Sequence, residues 1–69
     1  MKVLENYKNY IGERYDDPEG MWEVKDVYSE NDRILADVEC VDHAPEENIG
    51  FIGTVSIEEV EYYTENTIW

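Results

Sequence analysis

The spacing of apolar residues changes several times along this 69-residue chain, and each change marks an element. Val3, Leu4, Tyr7 and Ile11 recur at helical spacing, and Gly12 follows where a helix-ending glycine belongs. That pattern predicts a short helix over residues 2–11. The stretch "ERYDDPEG" (residues 13–20) reads as a loop punctuated by Pro18 and Gly20. Residues 21–28 then alternate, with Trp22, Val24 and Tyr28 on one face and Glu23 and Lys25 on the other. Ser29, Asn31 and Asp32 supply a turn signal. Residues 34–41 alternate more cleanly: Ile34, Ala36, Val38 and Cys40 point one way, Asp37 and Glu39 the other. These two runs predict an antiparallel hairpin.

A polar loop, "DHAPEENIG", ends at Gly50 and leads to a third strand over residues 51–55. Phe51 and Val55 are expected inward, with Gly53 at a bulge or a close approach. Ser56 and Glu59 have the form of a capping box, and Val55 and Val60 stand at the hydrophobic-staple positions, which predicts one helical turn. The remainder reads as alternating again, with Val60, Tyr62 and Thr64 opposite Glu59, Glu61, Tyr63 and Glu65. The fold class expected is mainly β with a short N-terminal helix, built on a small, strongly bent antiparallel sheet. The sheet either curls into an SH3-like partly open barrel or stays an open three- or four-stranded α+β sheet. No internal repeat occurs, and residues 1–69 are read as a single small acidic domain with a radius of gyration of roughly 11 Å.

Composition sharpens this picture. A hydrophobic fraction of 42% is too high for a disordered acidic tail, and the two Trp, six Tyr and one Phe give a small core large rings to bury. The single cysteine, Cys40, excludes an internal disulfide. Eighteen acids stand against five bases, a formal charge of −13. That balance disfavours direct contact with nucleic acid or anionic membranes and favours a basic partner. No signal-peptide pattern opens the chain, and no run approaches the ~20 apolar residues of a membrane span. A cytoplasmic setting is therefore expected, that of the host cell if the chain is phage-encoded.

By the alternation, Asp37, Glu39, Glu59, Glu61 and Glu65 share the outer face of the sheet together with Tyr63, and Glu23 joins them. Asp16, Asp17 and Glu19 form a second patch in the first loop. Same-face residues lie ~6.6 Å apart along a strand and ~4.8 Å apart across strands. Such a lattice presents a phosphate-like field, because duplex DNA carries one charge per ~1.7 Å of axis. Lysine and arginine would ordinarily interleave with acids on such a face and relieve the repulsion. In charge and length the chain is similar to the acidic phage-encoded inhibitors that mimic DNA, among them anti-restriction, anti-CRISPR and uracil-glycosylase inhibitors. The resemblance implies a non-enzymatic inhibitor whose partner is a basic protein, such as a nuclease or another nucleic-acid-binding protein.

Other chemistries find less support. Cys40, Asp42 and His43 cluster, with Glu46 and Glu47 beyond, but one Cys and one His cannot make a zinc set. No metal or other cofactor is expected. No glycine-rich phosphate loop or nucleophile elbow occurs, and Cys40 reads as a small core residue, so no enzyme is expected. The alternative is an SH3-like peptide-binding or assembly adaptor, with a groove drawn from Tyr10, Tyr15, Trp22, Tyr28, Tyr62 and Trp69 and acids that favour a Lys or Arg ligand. Homodimerisation through Trp69 is a further option.

Overall fold

The structure is a computed structural model and describes residues 4–65. Helix α1 (Leu4–Tyr7) tightens into a 3-10 turn (Lys8–Tyr10) and leads into strand β1 (Arg14–Asp17). Strands β2 (Gly20–Glu30) and β3 (Arg33–Asp42) form a long hairpin; a 3-10 turn (Glu46–Asn48), strand β4 (Ile52–Ser56) and helix α2 (Ile57–Glu65) complete the described chain. The sheet is an antiparallel meander in the order β1-β2-β3-β4. β1 and β4 lie at opposite edges, so the sheet is open, the second of the two architectures allowed by the sequence, and it does not close into an SH3-like barrel. The radius of gyration is 11.8 Å and the longest dimension 37 Å. That length matches an eleven-residue strand at ~3.4 Å per residue, so the hairpin sets the long axis.

Asn31 and Asp32 both have positive φ, 51° and 63°, the signature of the two-residue type I′ turn whose twist suits a hairpin. The core face of the sheet carries Tyr15, Trp22, Val24, Val27, Ile34, Ala36, Val38 and Cys40. Ile57 and Val60 of α2 complete the core, and Leu4, Tyr7 and Tyr10 pack against it from the N-terminal helical segment. The alternation of β2 does not run through to Tyr28 as the sequence suggests. The register shifts between Val24 and Asp26, so Lys25 is an extra residue and the phase changes after it. Val27 takes the core position, and Tyr28 turns to the other face, where its hydroxyl donates to Asp37 Oδ1 at 3.0 Å.

Further expectations are corrected. The stretch read as a loop contains β1, whose Tyr15 is only 1% exposed. The expected helix over residues 2–11 is helical from Leu4 and ends in the 3-10 turn at Tyr10; Lys2 and Val3 lie outside the described residues. The segment read as one turn followed by a strand is a nine-residue helix. Its cap forms as expected, Glu59 N donating to Ser56 Oγ at 3.4 Å. It continues because Ile57 and Val60, with Thr64, fall on one helical face over the sheet, while Tyr62, placed inward by a strand reading, is 59% exposed. In β4, Gly53 pairs in regular register with Val38, so no bulge occurs there. Phe51 precedes the strand and is 61% exposed instead of inward.

Candidate partner-binding surface

The β1–β2 turn is organised by an acid. Asp17 Oδ1 accepts from Glu19 N at 2.8 Å, Gly20 N at 3.1 Å and the Trp22 indole Nε1 at 2.9 Å. This is the short-range bonding that makes aspartate a turn residue, here extended to hold a core ring. Gly20 has φ +153°, and a Cβ there would stand 3.0 Å from Ala44 Cβ, so only glycine fits beside the chain crossing it. Glu19 is left exposed at the turn's tip.

Helix α2 lies across the sheet against β1, β3 and β4. The Tyr63 ring stacks on Tyr15, with centroids 5.7 Å apart and planes 11° apart, and Tyr62 meets Tyr63 edge-on. Tyr63, expected on an outer wall of carboxylates, thus anchors the helix to β1. Burial pushes the Tyr15 phenol far up, and the charges of Asp17 and Glu59 add to it. The Tyr63 phenol is raised by burial, Asp17 and Glu59 in the same order. Helix docking brings Glu59 to the side of the β1–β2 turn, where it lines one hollow with Asp17 and Glu19. Toward the other end of the helix, burial and then Glu61 raise the Tyr10 phenol, with Glu65 contributing.

The opposite face of the sheet is different in kind. Arg14 Nε donates to Glu23 Oε1 at 2.9 Å, and Lys25 Nζ meets Glu23 Oε2 at 2.6 Å and Glu39 Oε1 at 3.4 Å. These hydrogen bonds, that of Lys25 foremost and Arg14 next, hold the Glu23 carboxyl below its ordinary range, and Lys25 is raised in turn by Glu23. Asp37 Oδ1 accepts from the Tyr28 and Thr54 hydroxyls, each at 3.0 Å. Bases therefore do interleave here, and Asp37 and Glu39 are engaged within the sheet. Asp16 Oδ1 lies 2.9 Å from His43 Nδ1, so it too has an internal partner.

The single outer face expected from the sequence is thus divided. Asp37 and Glu39 lie on the sheet face away from α2. Glu59, Glu61 and Glu65 stand on α2, and Glu59 joins Asp17 and Glu19 of what had been a separate patch. Neither the turn (residues 16–20) nor α2 contains a lysine or arginine. Sequence reasoning missed Phe51, whose ring stands edge-on to Trp22 with centroids 6.3 Å apart. Hollows of about 330 and 200 Å³ adjoin the pair, both lined by Glu19, Trp22 and Phe51. The flanking Gly50 and Gly53 were the available signal.

The rings named for a peptide groove do not line one together: Tyr15 is in the core, Tyr28 is on the open face, and Trp69 lies outside the described residues. Cys40 is buried in the core. Among the described residues no group of three or more His, Cys, Asp or Glu side chains is placed to hold a metal ion, and no helix is long and apolar enough to cross a membrane. Comparison with known proteins gave no match among family models, curated proteins or solved structures.

Proposed function

We propose that this chain is a non-enzymatic acidic binding protein that occupies the basic nucleic-acid-binding surface of a partner, in the manner of a DNA mimic. The observation that carries this reading is the row of glutamates on α2, continued by Asp17 and Glu19 on the adjoining turn, with no base on either element. An α-helix rises ~1.5 Å per residue. Glu58, Glu59, Glu61 and Glu65 are therefore spread along about 10 Å of axis, a mean of roughly 3.5 Å per charge. One strand of duplex DNA places a phosphate every ~3.4 Å of axis. At ~3.6 residues per turn Glu58, Glu61 and Glu65 share one side of the helix while Glu59 faces the β1–β2 turn, so the helix presents anions at about the axial density of a phosphate backbone, spread over two sides. The partner class is a nuclease or another protein that handles nucleic acid. An anti-defence role of the anti-CRISPR or anti-restriction kind, exercised in a host cytoplasm, is the biological setting this reading implies.

The test is displacement. Proteins retained from a bacterial lysate by the immobilised chain should elute with duplex DNA. Their affinity should fall steeply between ~50 mM and ~0.5 M salt, because charge complementarity acts through the field that salt screens. Replacing Glu61 and Glu65 together by lysine should abolish retention while leaving the fold intact. A partner that is indifferent to salt, to DNA and to that double substitution would overturn the reading.

A further inference from the structure

Among the described residues, the core face of the sheet is not covered along its whole length. Tyr15 pairs with Trp22 and Trp22 with Cys40. Cys40 then extends the row to the chain entering β4, donating from its N to Phe51 O at 2.9 Å and accepting from Gly50 N at 2.7 Å. Phe51 therefore ends a row of core residues. Its ring is largely exposed, edge-on to the indole of Trp22. Position 53 contributes to the opening: a Cβ on Gly53 would stand 3.4 Å from the Phe51 ring, and glycine leaves that space empty. Gly53 does not have a positive φ, so no backbone requirement explains it.

Two properties of the hollow limit what fits. Its walls combine the rings of Trp22 and Phe51 with Cys40, beside the polar Asn48 and Thr54, with Trp22 fixed by its bond to Asp17 and Phe51 presented outward. Its rim is acidic, formed by Glu19, Asp17 and Glu59, with no lysine or arginine lining either part. An anionic or purely apolar occupant would leave the carboxylates repelled or desolvated without compensation. A flat cation suits both properties at once. The two parts, about 330 and 200 Å³, lie at or below the small end of the ~300–1,000 Å³ typical of small-molecule sites, a scale suited to one side chain. Arginine matches better than lysine, because its guanidinium is planar, weakly hydrated and stacks on aromatic rings, while a lysine ammonium is compact and strongly hydrated.

We propose that the hollow beside the Trp22–Phe51 pair receives an arginine side chain of a basic partner protein, its guanidinium against the rings and its N–H groups toward Glu19 and Glu59. This rests on the reading of the partner as basic and adds to it a point of recognition that a diffuse field cannot supply.

Hexa-arginine and hexa-lysine peptides, equal in charge, separate the two effects. Both are titrated into the full chain and followed by NMR at the Trp22 indole N–H and the Gly53 amide. Hexa-arginine should move both signals and bind the tighter of the two. Phe51→Ala, which removes an exposed ring, should weaken hexa-arginine roughly tenfold, the order expected for losing one ring from a cation, and should leave hexa-lysine nearly unchanged. Gly53→Ala, which narrows the hollow without altering charge, should do the same to a lesser degree. Equal affinities for the two peptides, or indifference to both substitutions, would show that field alone holds them and would overturn the proposal. Movement of the Trp22 signal with protein concentration alone would assign the hollow to a second copy of the chain, and would overturn it too. Replacing Glu61 and Glu65 by lysine probes the wider acidic reading separately. If it changes nothing while the Phe51 effect persists, the polyanion reading fails and the arginine site stands.

Discussion

One carboxylate oxygen, Oδ1 of Asp17, satisfies two backbone donors and the Trp22 indole. Asp17→Ala should therefore cost about 1–3 kcal/mol, the penalty for leaving a buried donor unsatisfied. Asp17→Asn, which keeps the acceptor, should cost much less, and urea denaturation of the two variants distinguishes them. At His43 the charge of Asp16, through the bond at Nδ1, holds the imidazole above its ordinary 6.5, and Asp42 adds to it. A folded-state value raised above the unfolded one means the contact is fully stabilising below about pH 6.5. That stabilisation is lost as pH rises through the folded value. An NMR titration of His43 should show the raised midpoint, and in Asp16→Asn it should fall back to or below the ordinary 6.5, because the loss of hydration, which lowers it, outweighs the charge of Asp42. Asp16 and Asp17 thus have internal duties that a count of acids does not disclose, whereas Glu19 and Glu59 are the better positions for probing a partner.

Among the elements, the β2–β3 hairpin was legible because β3 alternates without interruption and Asn31-Asp32 suits a tight turn. The bulge was not legible, since Lys25 and Asp26 are both polar and either could be the extra residue. Strand β1 was hidden by its own composition: Asp16 and Asp17 are depleted in strands, and Pro18 and Gly20 drew the loop boundary too early. Helix α2 was the costliest misreading. Its sequence "VEYYTE" fits a two-residue alternation and is rich in β-formers, yet the core contacts of Ile57, Val60 and Tyr63 decide for helix. That choice moved Glu59, Glu61 and Glu65 off the sheet and onto α2, where Glu59 alone comes beside the first turn. The acids of the candidate site could be named from the sequence, but their grouping required the three-dimensional path of the chain. The last turn of α2 holds Glu65 and no base, an unfavourable charge at the negative end of the helix dipole. Glu65→Lys should stabilise the fold by roughly 0.3–0.5 kcal/mol, by pairing the introduced ammonium with Glu61 one turn earlier, raising Tm by about 2–4 °C in a scanning calorimeter. The same change should weaken partner binding, so stability and affinity move in opposite directions.

For the whole molecule, the charge of −13 sets conditions that no single contact does. The four basic residues among those described include Arg14 and Lys25, both committed to Glu23, with Lys25 also at Glu39. The remaining acids repel one another across a body only 17 Å through its thinnest dimension, about two Debye lengths at physiological salt, ~8 Å each. Screening should then stabilise more by weakening repulsion than it destabilises by weakening the few ion pairs. Tm measured at about 0.5 M sodium chloride should exceed that at about 20 mM. The reverse order would mean that the ion-paired sheet face dominates the electrostatics.

The open outer side of β4 bears on how this protein would behave in a tube. It is a lateral strand that begins at exposed Ile52, just after exposed Phe51, and among the described residues no further strand pairs with it, so mutual repulsion is what should keep two such borders apart. Titrated toward the isoelectric point near pH 4.1, concentrated samples should therefore cloud and build filaments stitched laterally. A lysine substituted for Thr54 would act as a gatekeeper and keep the solution clear in a turbidity assay.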